Sequence, residues 1–194
     1  MPYPSAIAVF CGSKPGQNPQ HLASATALGE GMAGHEIELI YGGGRVGLMG
    51  TVADAVSQNG GKVTGIIPEF LMQREVGNAD AGSLEVTESM HSRKTRMFEL
   101  SDAFVTLAGG LGTLDETIEV ITWKQLRLHS KPIIVLNIDG YWDVLRHATQ
   151  SFTEAGFAYA SDADLFTIVD SVDDIFQALD REKWVRETSR AGRL

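Results

Sequence analysis

The stretch AFVTLAGGLGTLDETIEV (103–120) places a buried strand, a glycine turn and a helix in direct succession. The apolar run at residues 103–108 is continuous rather than alternating, which is typical of a parallel strand covered on both faces. The glycines then permit a tight turn, and the apolar residues of 113–126 recur at helical spacing. A strand that passes directly into a helix indicates one β–α unit of an α/β fold.

Similar units recur along the chain. Further apolar strands are predicted at 6–10, 37–41, 62–67, 132–137 and 166–169, and helices at 21–32, 47–58, 92–101, 141–152 and 172–179. This alternation predicts a doubly wound parallel sheet that binds its ligand at the carboxyl ends of the strands. Residues 73–83 (QREVGNADAGS) are the least regular stretch, and their composition favours a loop beside the site.

Length and composition narrow the class of protein. The chain has 194 residues, so we predict a single domain over residues 1–194, with residues 181–194 forming a basic C-terminal tail. The net charge of −9 leaves no excess of positive charge with which to bind the phosphate backbone of nucleic acid. One cysteine, Cys11, indicates a reducing compartment, and neither a signal peptide nor a membrane-spanning run is visible. We expect a cytoplasmic protein that binds neither nucleic acid nor membrane.

Two glycine turns follow predicted strands. The first, YGGGRVGLMG (41–50), can either face a phosphate or simply let a helix pack closely on the sheet. A dinucleotide site is disfavoured, because the next strand ends Ile66-Ile67-Pro68 without the acidic residue that holds a ribose. The second turn, AGGLGT (108–113), lies in the same setting. Two such turns in one sheet suit a monophosphate or a phosphorylated sugar.

Asp115 and Glu116 stand where backbone amides would receive an anion. Thr113 and Glu116 have the spacing of a capping box, which predicts a purely structural role. The basic segment SMHSRKTRM (89–97) favours a second interpretation, because a guanidinium from Arg93 would keep Glu116 ionised and also bind phosphate oxygens. Basic residues on a helix are otherwise commonly a solvated face.

These motifs resemble those of one known family. MHSRK (90–94), GGLGTLDE (109–116) and EVITWKQL (119–126), with YGGGRVGLMG before them and KPIIVLNIDGYWDVL (131–145) after, are similar to the Lonely Guy family of cytokinin riboside 5′-monophosphate phosphoribohydrolases, which have been labelled lysine decarboxylases. The resemblance runs from about Ile7 to Leu179. It implies a Rossmann-like fold and a homodimer in which both subunits build each site.

The resemblance also implies roles for individual residues. Arg93 and Glu116 would be the catalytic pair. Substrate contacts would come from Glu75, Arg93, Lys94, Gly109, Gly110, Leu111, Gly112, Thr113, Leu114, Asp115, Glu116 and Thr122. The chain departs from the family pattern at Ala108, Leu111 and Gln73, where proline, an aromatic residue and proline are usual, and this leaves base specificity open.

The implied reaction needs no cofactor and no metal. It hydrolyses the N-glycosidic bond of a nucleoside 5′-monophosphate through an oxocarbenium-like sugar, which the Glu116 carboxylate would stabilise. Ser13 is a further candidate phosphate contact, and Cys11 is a small residue at a strand end rather than a nucleophile. Two alternatives stay open: a general AMP nucleosidase of nucleotide salvage, and a non-catalytic carrier of molybdenum cofactor. Leu114, Ile118 and Ile121 would supply the apolar dimer face.

Overall fold

The computed structural model describes residues 3–72 and 82–181. One seven-stranded parallel sheet holds every strand of this part of the chain, in the order β4-β3-β2-β1-β5-β6-β7. The strands are β1 (Ala6–Phe10), β2 (Glu38–Tyr41), β3 (Val63–Pro68), β4 (Ser83–Thr87), β5 (Ala103–Thr106), β6 (Ile133–Leu136) and β7 (Thr167–Val169).

Helices follow the strands and cover both faces of the sheet. They are α1 (Pro19–Gly34), α2 (Gly47–Gln58), α3 (Glu69–Met72), α4 (Met90–Leu100), α5 (Leu111–Gln125), α6 (Asp143–Glu154) and α7 (Val172–Arg181). Leu28, Val52 and Leu179 place α1, α2 and α7 in one apolar core. Met97 of α4 and Val120 of α5 pack in a second core on the opposite face.

Strand β1 shows how the sequence divides these cores. Ile7 and Val9 point into the first core, and Ala8 and Phe10 point into the second. All five residues of the strand are buried, as expected for a central parallel strand with helices on both sides. The continuous apolar run therefore reflects a strand without a solvent face.

The chain reverses its winding direction between β1 and β5. These strands are neighbours, with Phe10 paired to Thr106, whereas β2 lies on the other side of β1. In an open α/β sheet such a switch point leaves a crevice beyond the carboxyl ends of the two strands. The glycine turn that follows β5 opens into that crevice.

The predicted doubly wound Rossmann-like architecture is confirmed, and all six predicted strands are present to within two residues at either end. Strand β4 was missed: the irregular stretch assigned to 73–83 runs into its first residue, Ser83. Residues 73–81 and 182–194 lie outside the described part of the chain, so the loop and most of the basic tail stay predictions. None of the described helices is long and apolar enough to span a membrane.

Candidate active site

A cavity of about 490 Å³ lies at the switch point between β1 and β5. Its walls come from the ends of β1 and β5, the first turns of α2 and α5, and the side chain of Arg93 from α4. The lining residues are Cys11, Gly12, Ser13, Lys14, Pro15, Gly16, His21, Leu48, Met49, Arg93, Ala108, Gly109, Gly110, Leu111, Gly112, Thr113, Glu116 and Tyr141.

The turn after β5 presents the N-terminus of α5 to this cavity. The helix begins at Leu111, Gly110 is its N-cap, and no side chain caps it. The amide of Leu114 donates to the Gly110 carbonyl at 3.0 Å, so the amides of Leu111, Gly112 and Thr113 precede the hydrogen-bond ladder of the helix. Such amides, together with the helix dipole, suit a phosphate.

The predicted capping box at Thr113 is wrong. Thr113 is the third helical residue rather than the N-cap, and it is buried with its side chain packed against Gly109. A side chain at residue 109 would collide with it, so glycine is required there for close packing. The helix starts two residues earlier than the sequence predicted, with Gly110 as its N-cap, a position at which glycine is tolerated almost as well as a capping side chain.

A buried threonine pair fixes the first turns of α5. Thr117 donates its hydroxyl hydrogen to the Thr113 carbonyl at 2.7 Å, and its oxygen lies 2.9 Å from the Thr106 hydroxyl. Since a hydroxyl carries one hydrogen, Thr106 is the donor of the second bond. The bond joins the last residue of β5 to α5 and holds the glycine turn between two fixed elements.

Arg93 is buried, with 5% of its surface exposed, although it comes from a basic helix. Its Nε donates to the Ile66 carbonyl and its Nη2 to the Gly42 carbonyl, both at 3.0 Å. Its Nη1 lies 3.8 Å from the Met90 sulfur. The guanidinium is therefore fixed by carbonyls of β3 and of the residue that follows β2, and it reaches the cavity as a preorganised cation. The alternative interpretation, a solvated basic face, does not hold for Arg93.

The first glycine turn packs against the chain rather than facing a phosphate. The amides of Leu48 and Met49, at the start of α2, donate to the Gly12 carbonyl at 3.0 and 3.3 Å. Gly47 has a φ of 65° and lies against Ser13 and Lys14, where a side chain would not fit. The phosphate-facing interpretation of residues 41–50 is therefore not supported, and close packing is their role.

Glu116, on the second turn of α5, lines the cavity together with Arg93 and the buried Cys11. Burial raises the pKa of the Cys11 thiol, the Glu116 carboxylate raises it further, and the Arg93 guanidinium lowers it. The opposite charges of Glu116 and Arg93 thus shift the pKa of this thiol in opposite directions. Cys11 is a neutral thiol at neutral pH, in agreement with the structural role predicted for it.

Lys94 lies beside the cavity rather than in its lining. Its Nζ forms ion pairs with Asp115 at 3.0 Å and Glu119 at 3.1 Å. Burial lowers the pKa of Lys94, but the hydrogen bonds that Lys94 donates to Asp115 and Glu119 outweigh this effect and leave the pKa raised. Asp115 is therefore paired with a cation on the outer face of α5, whereas its neighbour Glu116 faces the cavity.

The remaining predicted site residues are dispersed. Leu114 and Ile121 are partly buried and pack against the apolar cluster around Trp142, and their predicted part in a dimer face stays a prediction. Ile118 is 41% exposed, and Thr122 is exposed on the same helix, outside the cavity lining. Glu75 and Gln73 lie outside the described residues. Of the implied contacts, Arg93, residues 109–113 and Glu116 meet at one cavity.

Sequence reasoning missed two aromatic residues of the cavity wall, Tyr141 and His21. Their rings meet edge to face, with centroids 5.2 Å apart. The Tyr141 hydroxyl donates to the Gly109 carbonyl at 2.5 Å. The Asp-Gly pair before Tyr141 was the available signal, because it marks a turn directly after β6. Helix α6 begins at Asp143, two residues later than predicted, and this leaves Tyr141 in the turn.

Comparisons with known proteins agree with the fold and the motifs. A family model described as "Possible lysine decarboxylase" matches residues 49–179. A protein of Oryza sativa subsp. japonica named "Probable cytokinin riboside 5′-monophosphate phosphoribohydrolase" is 45% identical over 160 residues, which are 82% of this chain and 70% of that protein. A cytokinin riboside 5′-monophosphate phosphoribohydrolase of Arabidopsis thaliana is 39% identical over 181 residues, 93% of this chain and 79% of its own length.

Solved structures share the fold at lower identity. The molybdenum cofactor carrier protein of Chlamydomonas reinhardtii superposes with a TM-score of 0.68 at 23% identity, over 91% of this chain and 95% of the carrier. At that identity the likeness concerns the fold alone, whereas the plant proteins share the sequence over most of the chain. The resemblance read from the motifs is thereby confirmed, and the chain belongs to the Lonely Guy family of cytokinin riboside 5′-monophosphate phosphoribohydrolases.

Proposed function

We propose that this protein hydrolyses the N-glycosidic bond of adenosine 5′-monophosphate or its N6-modified forms, releasing the free base and ribose 5-phosphate. One observation carries the proposal: a carboxylate, a buried guanidinium and the open amides of a helix N-terminus line a single cavity. The names of the plant relatives give the same reaction class for those proteins.

Each part of the cavity matches one demand of the reaction. The amides of Leu111, Gly112 and Thr113 bind the 5′-phosphate, which anchors the sugar and turns remote binding energy into orientation. Glu116 faces the anomeric carbon, where it stabilises the oxocarbenium-like sugar and orients or deprotonates water. The glycosidic bond breaks, while water supplies a hydroxyl to the sugar and a proton to the leaving base.

Arg93 supplies fixed positive charge beside this carboxylate. Its bonds to the Ile66 and Gly42 carbonyls hold the guanidinium before any substrate arrives. A preorganised cation loses little free energy to reorganisation when the anionic substrate binds. Ser13, in the β1–α1 loop, lines the same cavity and is a further phosphate contact.

The test is ribose 5-phosphate release from AMP, N6-prenylated AMP, GMP and CMP, each compared with its nucleoside. Nucleotides should be cleaved at least a hundredfold better than nucleosides, because unpaired phosphate-site donors waste binding energy. Equal turnover of adenosine and AMP would contradict the phosphate assignment. The ratio of AMP to prenylated AMP would separate a cytokinin-forming enzyme from a general AMP nucleosidase.

Glu116→Gln tests the carboxylate, with Glu30→Gln as the matched control. Both substitutions replace a glutamate by its amide within a helix, but Glu30 is exposed on α1 and lies outside the cavity lining. Glu116→Gln should lower turnover by about 10²-fold or more without unfolding the protein, and Glu30→Gln should retain most activity. A fully active, folded Glu116→Gln protein would favour the non-catalytic carrier instead.

We also propose a cytoplasmic homodimer. The exposed face of α5 carries Leu111, Ile118 and Thr122 at helical spacing beside the Lys94 ion pairs. Ile118→Asp should dissociate the dimer in light scattering, while the same change at exposed Val144 on α6 should not. A wild-type protein that is monomeric and fully active would defeat this proposal. The single buried cysteine accords with a reducing compartment.

A further inference from the structure

Three consecutive carbonyls leave the end of β5, and each accepts a hydrogen bond from a different part of the chain. The indole Nε1 of Trp142 donates to Leu107 at 3.2 Å, and the amide of Gly12 donates to Ala108 at 3.0 Å. The Tyr141 hydroxyl donates to Gly109 at 2.5 Å. These three carbonyls, which would repel an anion, are thus each engaged in a hydrogen bond immediately before the amides that would attract one.

The hydrogen bond from Tyr141 holds the peptide between Gly109 and Gly110, which is the most free of the three to rotate. Gly109 and Gly110 flank it, and neither has a Cβ to oppose rotation of the peptide plane. A trans peptide points its carbonyl and its amide in opposite directions, so the hydrogen bond that fixes the Gly109 oxygen also fixes the Gly110 N–H. Without that bond, the peptide can turn its carbonyl towards the anion site.

Tyr141 is itself held in place from two sides. It follows Asp139 and Gly140, which have φ values of 51° and 74°. The left-handed conformation is uncommon for a non-glycine residue, although Asp adopts it more readily than most. Asn18 donates to the Asp139 carboxylate at 2.7 Å, and His21 packs edge to face against the Tyr141 ring. The start of α1 therefore fixes the turn that carries Tyr141.

We propose that Tyr141 is a positioning residue that orients the phosphate-binding turn through its hydroxyl. The phosphate it serves is that of the proposed nucleotide substrate, so the inference rests on the proposed function. The side chain acts on affinity for the 5′-phosphate and not on the reacting bond, because its hydrogen bond is made to the Gly109 backbone.

The variant Tyr141→Phe removes the hydroxyl and keeps the ring that packs on His21. Calorimetric titration with ribose 5-phosphate should show about tenfold weaker binding, the loss expected for one hydrogen bond. The KM for AMP should rise by a similar factor, with kcat within about twofold of the wild type. Tyr159→Phe is the matched control, because Tyr159 is 80% exposed and lies outside the cavity lining.

Two measurements separate positioning from general damage. The melting temperature should stay close to that of the wild type, and the slow cleavage of adenosine, which has no phosphate, should be unchanged. Unaltered ribose 5-phosphate affinity in Tyr141→Phe would overturn the proposal, and so would an equal loss with adenosine and AMP. A wild-type protein that binds ribose 5-phosphate without cleaving AMP refutes the hydrolase but leaves this binding test intact. Absence of ribose 5-phosphate binding in the wild type overturns the inference itself.

Discussion

Gly42→Ala would displace the Arg93 guanidinium without removing any charge. A Cβ at residue 42 would overlap the Nη2 of Arg93 and lie 3.1 Å from both its Cζ and the Met49 sulfur. The guanidinium must then retreat by about 1 Å or more to restore ordinary contact distances near 3.5 Å. Gly42 has no left-handed φ, so alanine meets no backbone strain there.

The cost to stability should be small and the cost to activity large. Weakening the 3.0 Å bond from Arg93 to the Gly42 carbonyl loses about 1.5–3 kcal/mol, and replacing glycine by alanine returns about 0.4–1 kcal/mol. The net loss of about 1–2 kcal/mol corresponds to a fall in Tm of ~2–8 °C. Misplacing a positioned catalytic group by 1 Å costs about 10²-fold in rate.

The assay is ribose 5-phosphate release by the folded variant, measured beside its melting temperature. Gly34→Ala is the control, because that Cβ would meet nothing within 4 Å at the end of α1. If the two residues act through one guanidinium, Gly42→Ala combined with Arg93→Ala should be little worse than Arg93→Ala alone. Wild-type turnover by a folded Gly42→Ala protein would refute the requirement for a fixed Arg93.

Three further outcomes follow from the geometry. Thr117→Val should lower the free energy of unfolding by about 1–3 kcal/mol in a denaturant titration, because it leaves the buried Thr106 hydroxyl without its acceptor; equal midpoints would contradict this. Cys11→Ala should keep activity within a few-fold, and thiol alkylation should not inactivate the wild type, since burial raises the pKa of this thiol. Lys94→Met should lower the free energy of unfolding through loss of the ion pairs. This difference from the wild type should be fully present below the ordinary lysine pKa of 10.5 and should vanish as pH rises through the raised pKa of Lys94. Unfolding of both proteins at several alkaline pH values would measure it, and a pH-independent difference would argue against the ion pairs.

The central strands were predictable from sequence because burial on both faces leaves a continuous apolar run. Strand β4 was not, since SLEVT is an edge strand in which polar residues alternate with apolar ones and Val86 is 49% exposed. The polar residues of β4 resemble those of the irregular stretch before it, so the sequence shows no boundary between the two. An edge strand is exposed to solvent and therefore tolerates polar residues. It then lacks the continuous apolar run by which a buried strand is recognised.

The site was predictable as a set of residues but not as an arrangement. Local spacing made Thr113 and Glu116 a capping box, whereas Gly110 is the N-cap residue and no side chain caps the helix. The two glycine turns looked alike in sequence, but a carbonyl of the β1–α1 loop occupies the amides of the first. Which amides are already taken depends on contacts between distant segments, and no local pattern carries that information.

The positions of Lys94 and Thr122 connect the site to assembly. The family pattern makes both of them substrate contacts, yet neither lines the cavity of its own chain. Both lie on or beside the outer face of α5, with Lys94 held there by Asp115 and Glu119. If these residues reach substrate, they do so from a second copy whose cavity faces this helix. The proposed dimer is then a condition for complete substrate recognition, and a variant that separates the subunits should lose affinity for the nucleotide even though Arg93 and Glu116 stay in place.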